Sequence, residues 1–131
     1  MSQPPLHPDE ALYDGGPPPA ELPGCEHYAG NEKLMRKALK LQHLPGSPRF
    51  DLTCDLDDGA PRGGELHHAR MVAELLASEE NRLRRAGVRI HDLRSPFWQQ
   101  DVEVVLSGAG AQVAYITLPR AEKLEQVQAL D

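Results

Sequence analysis

In Phe50-Asp51-Leu52-Thr53-Cys54-Asp55-Leu56-Asp57-Asp58-Gly59, apolar and polar residues alternate without a break from Phe50 to Asp57. Phe50, Leu52, Cys54 and Leu56 fall on one side, and Asp51, Thr53, Asp55 and Asp57 on the other. Successive side chains of a strand point to opposite faces, so this is a β-strand with one apolar and one acidic face, ending in an Asp-Asp-Gly turn. The period then changes. Beyond a Gly/Pro loop from Gly59 to Gly64, residues Leu66, Ala69, Val72, Ala73 and Leu76 recur at the spacing of one helix face.

The same strand-then-helix pattern repeats on both sides of this unit. Upstream, the short run Cys25-Glu26-His27-Tyr28 precedes a helix capped by Asn31 that carries Leu34, Met35, Ala38 and Leu39, reaches Gln42, and stops at Pro45-Gly46. Downstream, Val88-Arg89-Ile90-His91 reads as a strand, followed by a helix around Val102, Val105 and Leu106 that Gly108 and Gly110 end. A last strand over 113–118 is broken by Pro119 and followed by an amphipathic stretch with Leu124, Val127 and Leu130. Strands alternating with helices predict an α/β fold with a parallel sheet over residues 24–131. The recurrence is one of pattern, not of residue identity.

Residues 1–23 have a different character. They hold seven of the twelve prolines (4, 5, 8, 17, 18, 19 and 23) and Gly15-Gly16, a composition that propagates neither a helix nor a central strand. The expectation is a proline-rich N-terminal tail, dispensable for folding. Pro17-Pro18-Pro19 lacks the flanking basic residue expected of a polyproline ligand, so it reads as linker.

Composition narrows the function. A net charge of -6, from 14 Lys+Arg against 20 Asp+Glu, argues against a nucleic-acid partner, since phosphate binding needs a basic face and none is evident in the sequence. Cys25 and Cys54 have no short paired spacing, so neither a disulfide framework nor a four-ligand zinc site is expected, and a reducing cytoplasm is the expected compartment. No apolar run approaches the ~18 residues of a membrane helix, and the N-terminus lacks the basic flank and apolar core of an export signal.

Chemistry is expected at the carboxyl ends of the strands, where α/β folds place ligands. There the acidic cluster Asp55-Leu56-Asp57-Asp58 stands beside Arg89 and His91, with Arg89 as the one cation expected on the inward face next to the cluster. A guanidinium among carboxylates suits an anionic substrate, because its planar fork grips a carboxylate or an enolate oxygen. The same spacing is also met by an ordinary turn with Arg89 in a surface ion pair. His67 and His68 are adjacent on a helix and point about 100° apart, so they read as a solvated first turn and not as paired metal ligands. Gly63-Gly64 before a helix could receive a coenzyme A phosphate, though glycine pairs are common in such loops without any ligand. Phe97 and Trp98 read as packing for the third helix.

In order and spacing, the runs at 25–30 and 32–39, then Cys54-Asp55-Leu56-Asp57-Asp58-Gly59-Ala60-Pro61, Val88-Arg89-Ile90-His91 and Leu118-Pro119-Arg120, resemble the opening strands of the HpcH/HpaI aldolase and citrate lyase beta-subunit family. The resemblance covers residues 24–131 and implies a TIM (β/α) barrel, with this chain as its N-terminal half, about four units of eight. It implies a Mg²⁺-dependent lyase that makes or breaks carbon–carbon bonds in citryl-CoA, malyl-CoA or related 2-oxo acid substrates, the metal polarising the oxygen on which charge develops. By position, Arg89 would hold the substrate's anionic oxygens, with Asp57 and Asp58 as catalytic neighbours and Asp55 as a further binding residue. Asp57, His91 and Arg120 stand where the family usually has glutamate, asparagine and lysine. The family's metal-binding acids are expected beyond Asp131, so no complete metal site is expected here. The expected partners are an acyl-CoA or small carboxylate and, through open sheet edges, another copy or a separate C-terminal half. The alternative is a truncated, non-catalytic fragment.

Overall fold

A computed structural model describes residues 23–131, together with His7 and Pro8; the expected tail otherwise lies outside the described residues. Four strands, β1 (Cys25–Ala29), β2 (Phe50–Asp55), β3 (Ala86–Arg89) and β4 (Ile116–Thr117), alternate with four helices, α1 (Glu32–Gln42), α2 (Glu65–Ala77), α3 (Trp98–Ala109) and α4 (Leu124–Gln128). The strands lie in the order β1-β2-β3-β4 and every pair is parallel. This is the α/β arrangement of the opening units of a (β/α) barrel. No helix among the described residues is long and apolar enough to cross a membrane.

The apolar face of β2 does what its alternation predicts. Phe50, Leu52, Cys54 and Leu56 are buried, joined by Ala86, Val88 and Ile90 from the next strand and by Met35 and Leu39 from α1. Asn31 caps α1, its Oδ1 accepting from Leu34 N at 3.0 Å. Leu34 itself is half exposed, so the buried stripe of α1 is narrower than the sequence suggested. At the far end of α1, Gln42 Nε2 donates to Phe50 O (3.0 Å) and Arg85 O (3.2 Å), tying the helix to the starts of β2 and β3.

Three boundaries differ from the sequence reading, each for a local reason. The third strand begins at Ala86, and past Arg89 the His91 N–H leaves the ladder to donate to Asp101 Oδ2 at 2.9 Å. The third helix runs through Gly108 to a cap at Gly110. A Cβ at Gly108 would lie 2.9 Å from the Ala73 Cβ, so that glycine permits the close approach of α2 and α3 instead of ending the helix. The fourth strand shrinks to Ile116–Thr117, although Ala114 N still donates to Ala86 O (2.9 Å) and Val88 N to Tyr115 O (3.1 Å).

The middle of the acidic face of β2 is buried as well, with Thr53 at 0% and Asp55 at 2% exposure, while Asp51 and Asp57 are partly exposed. Both faces of a parallel sheet are covered, and here the second face is polar and self-paired. Arg85 bonds Asp51 at one end of the strands and Arg89 bonds Asp55 at the other. Between them the Tyr115 ring lies over Gly87, where a Cβ would sit 2.5 Å from it, and its hydroxyl meets Thr53 Oγ1 (2.9 Å) and Leu52 O (3.1 Å).

Candidate active site at the carboxyl ends of the strands

Asp55 and Arg89 are register partners on β2 and β3. The Arg89 guanidinium lies alongside the carboxylate, Nε donating to Oδ1 at 2.9 Å and Nη2 to Oδ2 at 2.5 Å. The same Nη2 reaches the Asp58 carboxylate. Backbone groups complete Asp55: Asp57 N donates to Oδ1 (3.0 Å) and Gly59 N to Oδ2 (2.9 Å). Burial alone would raise the Asp55 carboxyl, but the Arg89 bond, the Asp57 and Gly59 amides and the guanidinium charge hold it below its ordinary value. The Asp55 bond in turn pushes the Arg89 guanidinium further up, so it stays charged.

Two glycines make this arrangement possible. A Cβ on Gly59 would fall 2.2 Å from Asp55 Oδ2, and one on Gly30 would fall 1.7 Å from Gly59 O. The loop after β1 therefore lies directly on the loop after β2. Tyr28, at the end of β1, places its ring 5.1 Å from the Arg89 guanidinium carbon, a cation–π contact. Among the described residues the hydrogen bonds of this guanidinium run from Nε and Nη2, and Nη1 has no partner.

Arg89 is not the only cation beside the acids. Arg120 donates from Nη2 to Asp57 Oδ2 at 2.8 Å, and its Nη1 lies 3.7 Å from Asp92 Oδ2. It holds this position on a left-handed backbone, φ +53. Asp92 is itself buried and bonded to Arg94, whose guanidinium lowers the Asp92 carboxyl well below the usual range. A cleft of about 350 Å³ opens here, lined by Asp57, Asp58, Glu65, His91, Phe97 and Arg120 among others. Asp58 joins the two regions, since it both bonds Arg89 and borders the cleft. The structure brings Asp55, Asp57, Asp58, Arg89 and His91 to one end of the sheet.

Three residues were missed. His68 is buried, its Nε2 donating to Asp55 O at 2.9 Å, which corrects the reading of a solvated helix turn; only its neighbour His67 is exposed. Asp101 is fully buried and takes two N–H groups of His91 on Oδ2, the ring Nδ1 at 2.6 Å. Asp92 anchors two arginines. A signal existed: Asp101 shares the buried stripe of α3 with Val105 and Ala109, and His68 that of α2 with Val72 and Leu75. A polar residue on an apolar stripe needs a buried partner. Phe97, expected to pack the third helix, instead borders the cleft, its ring 5.3 Å from that of His91.

No family model and no curated protein matches the chain. Among solved structures, a citrate lyase from Burkholderia xenovorans LB400 superposes with a TM-score of 0.78 at 49% sequence identity, over 86% of this chain and 35% of that one. The chain therefore spans 35% of the length of that lyase. Over the span the two share, this chain is citrate-lyase-like in sequence and in fold.

Proposed function

We propose that this chain supplies the anion-gripping part of a carbon–carbon lyase acting on a citryl-CoA-like, malyl-CoA-like or 2-oxo acid substrate. The observation that carries this reading is Arg89, immobilised by Asp55 and Asp58 at the carboxyl end of β3 with Nη1 left over. Cleavage beside a carbonyl builds negative charge on its oxygen, and a donor already fixed in place stabilises that charge without reorganising. The likeness to a citrate lyase supports the reaction class. Asp55 serves the substrate through Arg89, since both its oxygens are taken. Asp57 and Asp58 border the reacting groups and hold the two guanidinium groups in place.

The Mg²⁺ that the resemblance implies does not fit the described residues alone. No group of three or more His, Cys, Asp or Glu among them is placed to hold a metal ion, and Asp55, Asp57 and Asp58 are each paired with an arginine.

A second reading is favoured by β1. Its first four residues are exposed, and among the described residues β1 and β4 are the two edges of the sheet, the position from which a strand can pair with another. Such edges suit a half-barrel completed by another copy or by a C-terminal half. Product release from citryl-CoA and malyl-CoA with Mg²⁺, read alongside molecular size, tests both. The monomeric chain should stay at background, because its site is open to water where the chemistry needs an enclosed cavity. An assembly that closes the barrel should turn over. Turnover by the monomer would refute the half-barrel reading, and an assembled barrel inactive on every acyl-CoA and oxo acid offered would refute the lyase.

A further inference from the structure

His91 and Asp101 form a pair that the anion grip does not use. Asp101 lies on α3 with no exposure, and its Oδ2 accepts both the backbone N–H of His91 (2.9 Å) and the ring at Nδ1 (2.6 Å). An oxygen that already takes one N–H is an acceptor for the other, so Nδ1 carries the hydrogen. The neutral ring is thereby fixed as the tautomer whose Nε2 bears a lone pair. Asp101 Oδ1 is buried with no hydrogen-bond partner among the described residues. Burial raises the Asp101 carboxyl, and the two His91 bonds oppose that rise. The ring stands between Asp101 and the cleft, which it borders, and the Phe97 ring packs on it at 5.3 Å. Glu65 acts by charge on His91 and Asp57 on Asp101, and Asp58, Arg62 and Arg120 border the same cleft. Nε2 has no partner among the described residues.

We infer that His91 is the proton-accepting residue of this cleft, with Asp101 as its positioning residue. The inference rests on the lyase reading and deepens it. In the cleavage direction, Nε2 takes the proton of the substrate's hydroxyl, and the O–H electron pair becomes the carbonyl π bond. The carbon–carbon bond breaks, and its pair passes into an enolate whose oxygen faces a guanidinium. The imidazolium then gives the same proton to the enolate carbon, so His91 ends as it began. Asp101 matters twice, by fixing the tautomer and by compensating the imidazolium, for which its unpartnered Oδ1 supplies further acceptor capacity.

Histidine-selective ¹⁵N NMR on the full 131-residue chain tests this, with malate as the probe and His91→Asn to assign the resonance. The expected spectrum has a protonated Nδ1 and a bare Nε2 at His91, and malate shifts the Nε2 signal. Asp101→Asn, of the same shape, should lose that tautomer while dispersed methyl signals report an intact fold, and a merely structural Asp101 would not move it. A protonated Nε2 in the wild type overturns the inference. So does malate binding that leaves Nε2 unmoved but is weakened tenfold or more by Arg89→Lys, an outcome that keeps the anion grip. Absence of malate binding by the folded wild type refutes the grip and the inference together.

Discussion

Asp55 and Arg89 face each other in register across β2 and β3, and each favours the charged form of the other. Asp55 is almost fully buried, so removing Arg89 strands a carboxylate that cannot reach water. Arg89→Ala should cost on the order of 3 kcal/mol of folding stability, as breaking a buried pair does. Arg89→Lys keeps a charge but loses the fork, and should cost less. Chemical denaturation of the two variants checks the order; an Arg89→Ala chain as stable as the wild type would show that the pair does not hold the strands' ends.

The same pair sets a pH dependence. Asp55 is held below its ordinary value in the folded chain, so its contribution is present above the unfolded value, about 4, and is lost as pH falls through the folded value. Stability should decline steadily below about pH 4. Asp55→Asn, which carries no titrating proton, should flatten that decline, and an unchanged slope would assign acid unfolding to other groups.

Gly30 and Gly46 should respond differently to alanine. At Gly30 the added Cβ meets the Gly59 carbonyl oxygen at 1.7 Å, and the backbone of two site loops must part, for about 3 kcal/mol, the upper end of overpacking costs. At Gly46 nothing lies within 4 Å, and only the left-handed φ of +75 opposes the change, worth about 1 kcal/mol. Thermal melts of both variants, with equal losses as the contrary result, test whether the loop stacking is as tight as it stands.

Cys54 is buried in the apolar core, and burial pushes its thiol up to about 12, whereas Cys25 is exposed on β1. A thiolate reagent at neutral pH should modify Cys25 fast and Cys54 only on unfolding. Rapid double labelling of the native chain would mean that β2 opens locally.

How far the fold was legible depended on what each residue had to satisfy. The alternation of 50–57 announced β2 because a strand buried on both faces still separates its apolar side from its polar side, and Asn31 announced α1 through a cap that is purely local. Gly108 misled because its role is set by Ala73, thirty-five residues away in sequence but in contact in space. The site was legible in the same partial way. Asp55, Asp57, Asp58 and Arg89 sit at strand ends that the pattern could place. Asp101 and Arg120 enter through a helix and a left-handed turn, whose aim no periodicity specifies.

The central claim is that Arg89 grips an anion. Calorimetry of the folded chain with malate and with an acyl-CoA, comparing wild type and Arg89→Lys, tests it most directly. The account predicts binding that the substitution weakens by about 1.5–3 kcal/mol, the scale of hydrogen bonds to charged groups. Binding of equal strength in both proteins would contradict it.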